Sequence, residues 1–208
     1  MLFQSFSRGF TLVALLAVIA SAQQKSSSAS NAGVVSGSVF AVTQGGDLKP
    51  ARMANVYLFY VFRSVKWANA HPEDEDSAGS AWLDNSTKGL EEMTKEEAAM
   101  DERAWNKNWH CHRELLAYSN ALLDTRKWAS ANGKEWQILT TTVDENGVFK
   151  VRVPRPGRYI IVASGHAGFN DAFWDAPGSA DEIDVASGTT MTVKLSSPQV
   201  ACLVRSED

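Results

Sequence analysis

The stretch "TTTVDENGVFKVRVPRPGRY" (residues 140–159) decides the fold, because two turn signals enclose a short run of alternating side chains. Asn146-Gly147 is the kind of pair favoured in tight hairpin turns, where the backbone φ is positive. Pro156-Gly157 suits a second turn, in which proline fixes φ at one position and glycine accepts a positive φ at the next. Between the turns, apolar and cationic residues alternate with a period of two: Phe149, Val151 and Val153 against Lys150 and Arg152. The stretch therefore predicts antiparallel strands with one buried face and one solvated face.

Six further segments have strand patterns of the same kind. In chain order, the seven predicted strands are VVSGSVFAV (34–42), ANVYLFYVF (54–62), WQILTTTV (136–143), VFKVRV (148–153), RYIIVAS (158–164), DEIDVAS (181–187) and TMTVKLS (190–196). QGGDLKPA (44–51) is predicted to be a turn. The second strand is apolar on both faces, which is typical of a strand that is covered on both sides. We therefore expect a structure outside the sheet to cover Tyr57 and Phe59.

Residues 64–135 interrupt this pattern. They contain no convincing strand, and their 9 Lys and Arg against 14 Asp and Glu give a net charge of −5. Thr94-Lys95-Glu96-Glu97 matches a capping box, in which Thr94 begins a helix. From there to about Ser130 the composition is helical, and Asn132-Gly133 is a stop signal. Asn106–Asn108 interrupts the helical pattern, so either one helix or two are predicted.

The predicted helical segment has an apolar stripe that could provide this cover. The stripe consists of Ala104, Cys111, Leu115, Tyr118 and Leu122, widened by Trp105, Trp109, Leu116 and Leu123. We expect the insertion to pack this stripe against the outer face of a sheet.

Four quoted segments together resemble a known family. They are G-V-V-S-G-S-V (33–39), P-A-R-M-A-N-V-Y-L (50–58), T-T-V-D-E-N-G-V-F-K-V-R-V-P-R-P-G-R-Y-I-I-V-A-S (141–164) and I-D-V-A-S-G-T-T-M-T-V-K-L (183–195). In this order they resemble the carboxypeptidase regulatory-like domain. The resemblance implies a mainly β fold, a seven-stranded antiparallel prealbumin-like (transthyretin-like) sandwich often found in exported bacterial proteins. The α-helical insertion between the second and third strands departs from that family.

The N-terminus has the pattern of a signal peptide. Arg8 precedes a short apolar run, and small residues at Ala20-Ser21-Ala22 favour cleavage before Gln23; an uncleaved membrane anchor is the alternative. The predicted plan is a signal peptide (1–22), a flexible leader (23–32), a sandwich domain (33–200) with its helical insertion (64–135), and a C-terminal tail (201–208). We therefore expect a secreted or periplasmic protein with no membrane span after cleavage. Its oligomeric state is left open.

Charge and cysteine content narrow the function further. The net charge of −4 argues against a nucleic-acid partner, which calls for a basic patch. Cys111 and Cys202 are the two cysteines of the chain. In an oxidising compartment they could pair in a disulfide, or they could be two buried, inert thiols.

Motifs for catalysis or metal binding are not recognised. The chain lacks the His-x-x-Glu pair of the catalytic zinc domains that accompany this family, and also a Gly-rich phosphate loop. His110-Cys111-His112 holds three ligand types, but neighbouring helical residues point about 100° apart and do not converge on one ion. Glu73–Asp76 is acidic but lacks the ligand spacing of a calcium loop, so a solvated charge run is favoured. No catalytic residue, metal site or cofactor is therefore predicted.

Aromatic residues are the remaining candidates for binding. Six of the seven tryptophans lie in or next to the insertion, and Trp174 lies in HAGFNDAFWDAPG (166–178), predicted to be a loop. They either pack the insertion against the sheet or remain exposed and contact a partner. The candidate partner-binding residues are Trp67, Trp82, Phe169, Phe173 and Trp174.

The first function hypothesis is an exported, non-catalytic module that binds a protein or a carbohydrate at the cell envelope or outside the cell. The alternatives are a secreted hydrolase with a site between insertion and sandwich, and a purely structural domain.

Overall fold

The structure is a computed structural model that describes residues 32–42, 46–61, 77–100, 107–167, 170–175, 182–196, 198 and 200–203. The strands are β1 (Gly33–Val42), β2 (Leu48–Pro50), β3 (Asn55–Tyr60), β4 (Ile138–Thr142), β5 (Val148–Val153), β6 (Gly157–Ala167), β7 (Asn170–Asp175), β8 (Glu182–Val185), β9 (Thr190–Leu195) and β10 (Val200–Leu203). The helices are α1 (Ala78–Ala98), α2 (Lys107–Ala131) and a 3-10 turn (Glu135–Gln137).

The strands form two sheets. In the four-stranded sheet, β1 pairs with β2, β5 and β9. In the six-stranded sheet the order is β10-β7-β6-β3-β4, and β8 pairs with β6. The expectation of a mainly β, sandwich-like architecture is confirmed.

The sandwich core lies between the two sheets. Val39, Leu58, Phe149 and Ile161 come from four different strands and belong to one buried cluster. Burial alternates along β1 as the period-2 pattern predicts. Trp174 of β7 is fully buried in the same cluster, and its indole N–H donates to the carbonyl of Phe40 at 2.9 Å. The bond satisfies the one polar atom that this large side chain carries into the core.

The turn between β4 and β5 is present, but it carries the chain from one sheet to the other, because β4 pairs with β3 and β5 pairs with β1; the expectation of a hairpin is wrong. Gly147 has φ +81°, a conformation that residues with a Cβ rarely adopt. The Asp144 carboxylate accepts from the backbone N–H groups of Asn146 and Val148, at 2.9 and 2.8 Å. The Asp144 carboxylate thus stabilises the turn by hydrogen bonds, and Gly147 provides the positive φ that the turn needs. The predicted Asn-Gly turn is confirmed.

Two expectations about the sheets are wrong. The sheets are not purely antiparallel, because β9 runs parallel to β1. The chain enters β9 from β8 of the opposite sheet, so no hairpin forces it to alternate with β1. The described residues also hold ten strands, three more than predicted: Leu48–Pro50 in the predicted turn, Asn170–Asp175 in the predicted loop, and Val200–Leu203 extending into the predicted tail. The insertion consequently follows the third strand in chain order, β3.

The insertion is helical, as expected, and contains two described helices. Helix α1 begins earlier than the predicted capping box: Ser77 is its N-cap, and its hydroxyl accepts from the backbone N–H of Ser80 at 3.1 Å. Thr94 lies inside α1, where its hydroxyl donates to the carbonyl of Leu90, so the predicted cap is wrong. Helix α2 ends at Ala131, just before the predicted Asn132-Gly133 stop. Among the described residues, no helix is long and apolar enough to cross a membrane.

The two helices cover part of the outer face of the six-stranded sheet. Stacked aromatic rings join the layers: Phe59 lies 5.1 Å from Trp82, and Tyr118 lies 4.4 Å from Phe173, between ring centroids. A cap over Tyr57 and Phe59 was expected; this cluster buries Phe59 fully and covers Tyr57 only in part. The two helices approach closely because Gly89 has no side chain; a Cβ there would lie 3.3 Å from that of Ala117.

Candidate functional site

Helix α2 crosses the six-stranded sheet diagonally. At its N-terminal end, Cys111 is bonded to Cys202 of β10, one edge of the sheet, and the Cα atoms are 5.7 Å apart. At the other end, Ala129 lies beside Ile138 of β4, the opposite edge. These two contacts also lie at opposite ends of the strands, because Cys202 is level with Asp171 and Ile138 is level with Phe59. A diagonal helix leaves one corner of the sheet uncovered.

We call this region the open corner. Strand register places seven residues there, all on the face that carries the helices: Asn55, Tyr57, Thr140, Thr142, Ser164, His166 and Asp171. Their exposure fits this position, because Asn55, Thr140 and Thr142 are exposed and Tyr57 is half-buried. The side chains of His166 and Asp171 are 70% and 43% exposed. The outer face thus changes from apolar under the helices to polar at this corner.

A groove of about 360 Å³ separates the open corner from α2. Its helical wall consists of residues spaced i, i+3, i+4 and i+7 on one face of α2: His112, Leu115, Leu116 and Ser119. Its other wall comes from β6 and β7, including Ser164, His166 and Asp171. Leu116 and Leu123 on this side of α2 are 45% and 53% exposed, so the expectation that they widen the packed stripe is wrong.

The polar groups of this groove are arranged in two sets. His166 Nδ1 and Asp171 Oδ1 lie 2.7 Å apart across the β6–β7 pair, which fixes the orientation of the imidazole. Across the groove, Nε2 of His112 is buried without a hydrogen-bond partner among the described residues. A buried polar atom of this kind is normally satisfied by a ligand or a water molecule.

The His110-Cys111-His112 run does not form a metal site. Cys111 is in the disulfide, and Nδ1 of His110 lies 3.2 Å from a carboxylate oxygen of Glu97 on α1. Burial raises the pKa of the Glu114 carboxyl, and the neighbouring His110 partly opposes this shift. Over the part of the chain that the structure describes, no three His, Cys, Asp or Glu side chains are placed to share a metal ion.

A second, smaller groove of about 210 Å³ lies between α1 and α2 on their outer side. Its charges are largely paired within the helices, because Arg113 forms an ion pair with Glu96 and Lys127 lies 2.8 Å from Asp124. Five of its twelve lining residues have long flexible side chains, which makes the groove less preorganised than the open corner.

The structure shows the burial of three of the five candidate partner-binding residues. Trp82, Phe173 and Trp174 are only 4%, 2% and 0% exposed, so their expected role as exposed contact residues is wrong. Trp82 and Phe173 are taken up in the aromatic layer between helices and sheet, and Trp174 in the sandwich core. Trp67 and Phe169 lie outside the described residues. The disulfide between Cys111 and Cys202 is confirmed.

Sequence reasoning missed the open corner itself. The available signal was the alternation in β3, where Asn55 and Tyr57 precede Phe59 on one face and the side chains become more polar toward the strand start. Thr140 and Thr142 continue that face on β4. A polar end on an otherwise apolar outer face indicates that the covering layer stops there.

Neither a protein-family model nor a curated protein matches the sequence. Solved structures similar to this chain include a candidate carbohydrate binding protein from Pseudomonas aeruginosa, with 14% identity and a TM-score of 0.34 over 80% of this chain and 88% of that one. They also include the pilus backbone protein RrgB from Streptococcus pneumoniae, with 11% identity and a TM-score of 0.26 over 78% of this chain and 41% of that one. At such scores the likeness carries no argument about function. The function is therefore argued from the geometry of the site.

Proposed function

We propose that the protein is an exported, non-catalytic β-sandwich module that binds a protein or a glycan at the cell envelope or outside the cell, with the open corner as its contact surface. The observation that carries this proposal is the incomplete cover of the six-stranded sheet. The insertion is fixed to the sheet by aromatic stacking and a disulfide, yet it leaves a rigid polar corner and a groove of about 360 Å³ open to solvent.

Rigid strands are a suitable base for such a surface, because preorganised groups lose less conformational entropy on binding. Export is supported by the signal-peptide pattern of residues 1–22 and by a disulfide, which persists mainly in oxidising compartments. We also propose that the sandwich is of the carboxypeptidase regulatory-like, prealbumin-like type. The confirmed Asn-Gly turn and the shared core of Val39, Leu58, Phe149 and Ile161 support that assignment.

The proposal is tested by capture from the native envelope fraction. The chain from residue 23 onward is immobilised and compared with an Asp171→Asn, His166→Asn double variant, which alters one exposed and one half-buried polar side chain of the corner. Asp184→Asn is the matched control, because Asp184 is an exposed carboxylate on the other end of the same sheet. We expect the captured material to be lost with the double variant and kept with the control. Identical capture by all three proteins would show that the contact surface lies elsewhere.

A hydrolase is the second candidate, and one observation favours it. A carboxylate beside Nδ1 of a histidine leaves Nε2 available as a general base, and Ser164 and Ser119 line the same groove. Chromogenic esters and glycosides test this activity. Turnover that is abolished by His166→Ala and kept by Asp184→Asn would establish a hydrolase in place of a binding module.

A further inference from the structure

We infer that the open corner binds a short, uncharged glycan segment, with the ring of Tyr57 as the stacking surface and the His166–Asp171 pair as the polar anchor. This inference rests on the proposed function and names the ligand class for the same site. It follows from the aromatic ring, the polar groups, the charge and the size of the corner.

The ring of Tyr57 is held in a fixed orientation. It is half-buried, and it lies parallel to the ring of Phe59, with an interplanar angle of 3° and centroids 6.4 Å apart. Phe59 is itself fully buried and stacks on Trp82. A tyrosine supported in this way offers a rigid apolar face with a polar hydroxyl at its edge, and little rotamer entropy is lost when it is covered. The C–H face of a sugar ring matches such a surface.

The side chains of the open corner match sugar hydroxyls. Each sugar hydroxyl both donates and accepts hydrogen bonds, so its site needs both kinds of partner. The corner supplies an amide from Asn55, hydroxyls from Thr140, Thr142 and Ser164, and a carboxylate from Asp171. Pairing with Asp171 fixes the imidazole of His166, so its Nε2 is presented in one direction. The corner thus offers donors and acceptors along one face of the sheet. Tyr57 is level with Val162, four residues or about 13 Å along β6 from His166, so a ligand that contacts both must be several sugar rings long.

Charge and size select among ligand classes. None of the seven corner residues and none of the residues lining the groove is Lys or Arg, so an anionic ligand at the His166–Asp171 end would meet the carboxylate of Asp171 without a neighbouring Lys or Arg. At the other end of the corner, Arg126 lines a pocket together with the corner residue Thr140, and the carboxylate of Glu135 lines the same pocket. A groove of about 360 Å³ lies at the lower end of small-molecule sites, roughly 300–1,000 Å³. A stable protein interface needs about 800 Å² per partner, more than seven side chains supply. These properties favour a few neutral sugar rings.

The test is calorimetric titration of the chain from residue 23 onward with maltopentaose, cellopentaose and chitopentaose as neutral probes and pentagalacturonate as the anionic comparison. We expect at least one neutral probe to bind and pentagalacturonate not to bind. Tyr57→Ala should weaken binding about tenfold, through loss of the stacking face. Asp171→Asn should weaken it several-fold, and the matched control Asp184→Asn should leave it unchanged.

Because Tyr57→Ala also removes a ring that rests on Phe59, its thermal unfolding is measured alongside. Tyr57→Phe keeps the stacked ring and should retain binding within about threefold. Asp171 is not part of the aromatic layer, so the Asp171→Asn variant gives a second comparison that does not depend on the packing of Tyr57. The inference is overturned if no neutral probe binds with a Kd below about 10 mM, if pentagalacturonate binds best, or if binding is indifferent to both Tyr57→Ala and Asp171→Asn.

The titration and the capture experiment together distinguish failure of the glycan inference from failure of the proposed function. If the neutral probes fail while capture from the envelope fraction still depends on Asp171 and His166, the corner is a contact surface for another class of partner. If that capture is also indifferent to the double variant, both proposals fail together.

Discussion

Removing the disulfide between Cys111 and Cys202 tests how strongly the insertion is fixed to the sandwich. The bond joins residues 91 positions apart, so it restricts a long segment of the unfolded chain. In the chain-entropy model the loss of entropy is about 2.1 + 1.5R ln n cal/mol/K, which for this loop corresponds to ~4.6 kcal/mol at 25 °C. Measured values are often smaller, so we expect the free energy of unfolding to fall by about 2 to 5 kcal/mol.

The assay is urea unfolding followed by tryptophan fluorescence, on the wild type and on Cys111→Ala, Cys202→Ala and the double variant. Either single substitution removes the cross-link completely, so all three variants should lose nearly the same free energy, apart from small packing differences. Their m-values should rise, because an unfolded chain without the cross-link exposes more surface. The reasoning is refuted if the double variant loses less than about 1 kcal/mol, or if the effects of the two single variants simply add.

Three further predictions concern the aromatic layer, the turn at Gly147 and one half-buried carboxyl. Trp82→Ala should lower the free energy of unfolding by about 3–5 kcal/mol and reduce the near-UV circular dichroism, because it empties the layer between helices and sheet; a loss below 1 kcal/mol would contradict this packing. Gly147→Ala should cost about 1–2 kcal/mol more than Gly188→Ala in urea unfolding, since both have positive φ but only the Cβ at 147 would meet Pro50, at 2.9 Å; equal costs would refute the steric argument. Burial raises the pKa of Glu114, so this group adds most stability while protonated and loses it as the pH rises through its folded pKa. Glu114→Gln should therefore raise the Tm near pH 7 and change it little near pH 4, and the reverse dependence would contradict the shift.

The central strands could be predicted from the sequence because their local pattern and their tertiary role agree. Val148–Val153 alternates in sequence and in burial, and the Asn-Gly turn before it has the required positive φ. The three missed strands are short and lack this agreement. Asn170–Asp175 contains turn-forming residues, and it becomes a strand through pairing with β6 and β10 on its two sides. Long-range pairing of this kind overrides local propensity.

The start of the first helix was missed for a related reason. Thr94 has a capping sequence, but the segment before it is held helical by Trp82, which packs against Phe59 and Phe173. Burial of that side chain contributes more than an N-cap, which is worth about 1 kcal/mol. Tertiary packing of Trp82 therefore outweighs the local capping signal at Thr94.

The candidate site was the least predictable part. The composition shows that tryptophans gather around the insertion, but it does not show which of them face the sheet. The open corner exists because α2 crosses the sheet diagonally, and that angle depends on its two ends, at Cys202 and at Ile138. The first contact joins residues 91 positions apart, and the second depends on how β4 pairs with β3 in the sheet. Tyr57 was consequently predicted only as a covered residue, although the structure leaves it half-buried at the margin of the aromatic layer.

The disulfide also imposes an order on assembly. During synthesis Cys111 emerges well before Cys202, and strands β4 to β9 emerge between them. The bridge can close only once β10 has joined the edge of its sheet beneath α2, which requires β7 to be in place. A chain whose six-stranded sheet is misaligned keeps two separate thiols and a helix that is not anchored. The presence of this bond therefore reports that β10 has paired with β7 beneath α2.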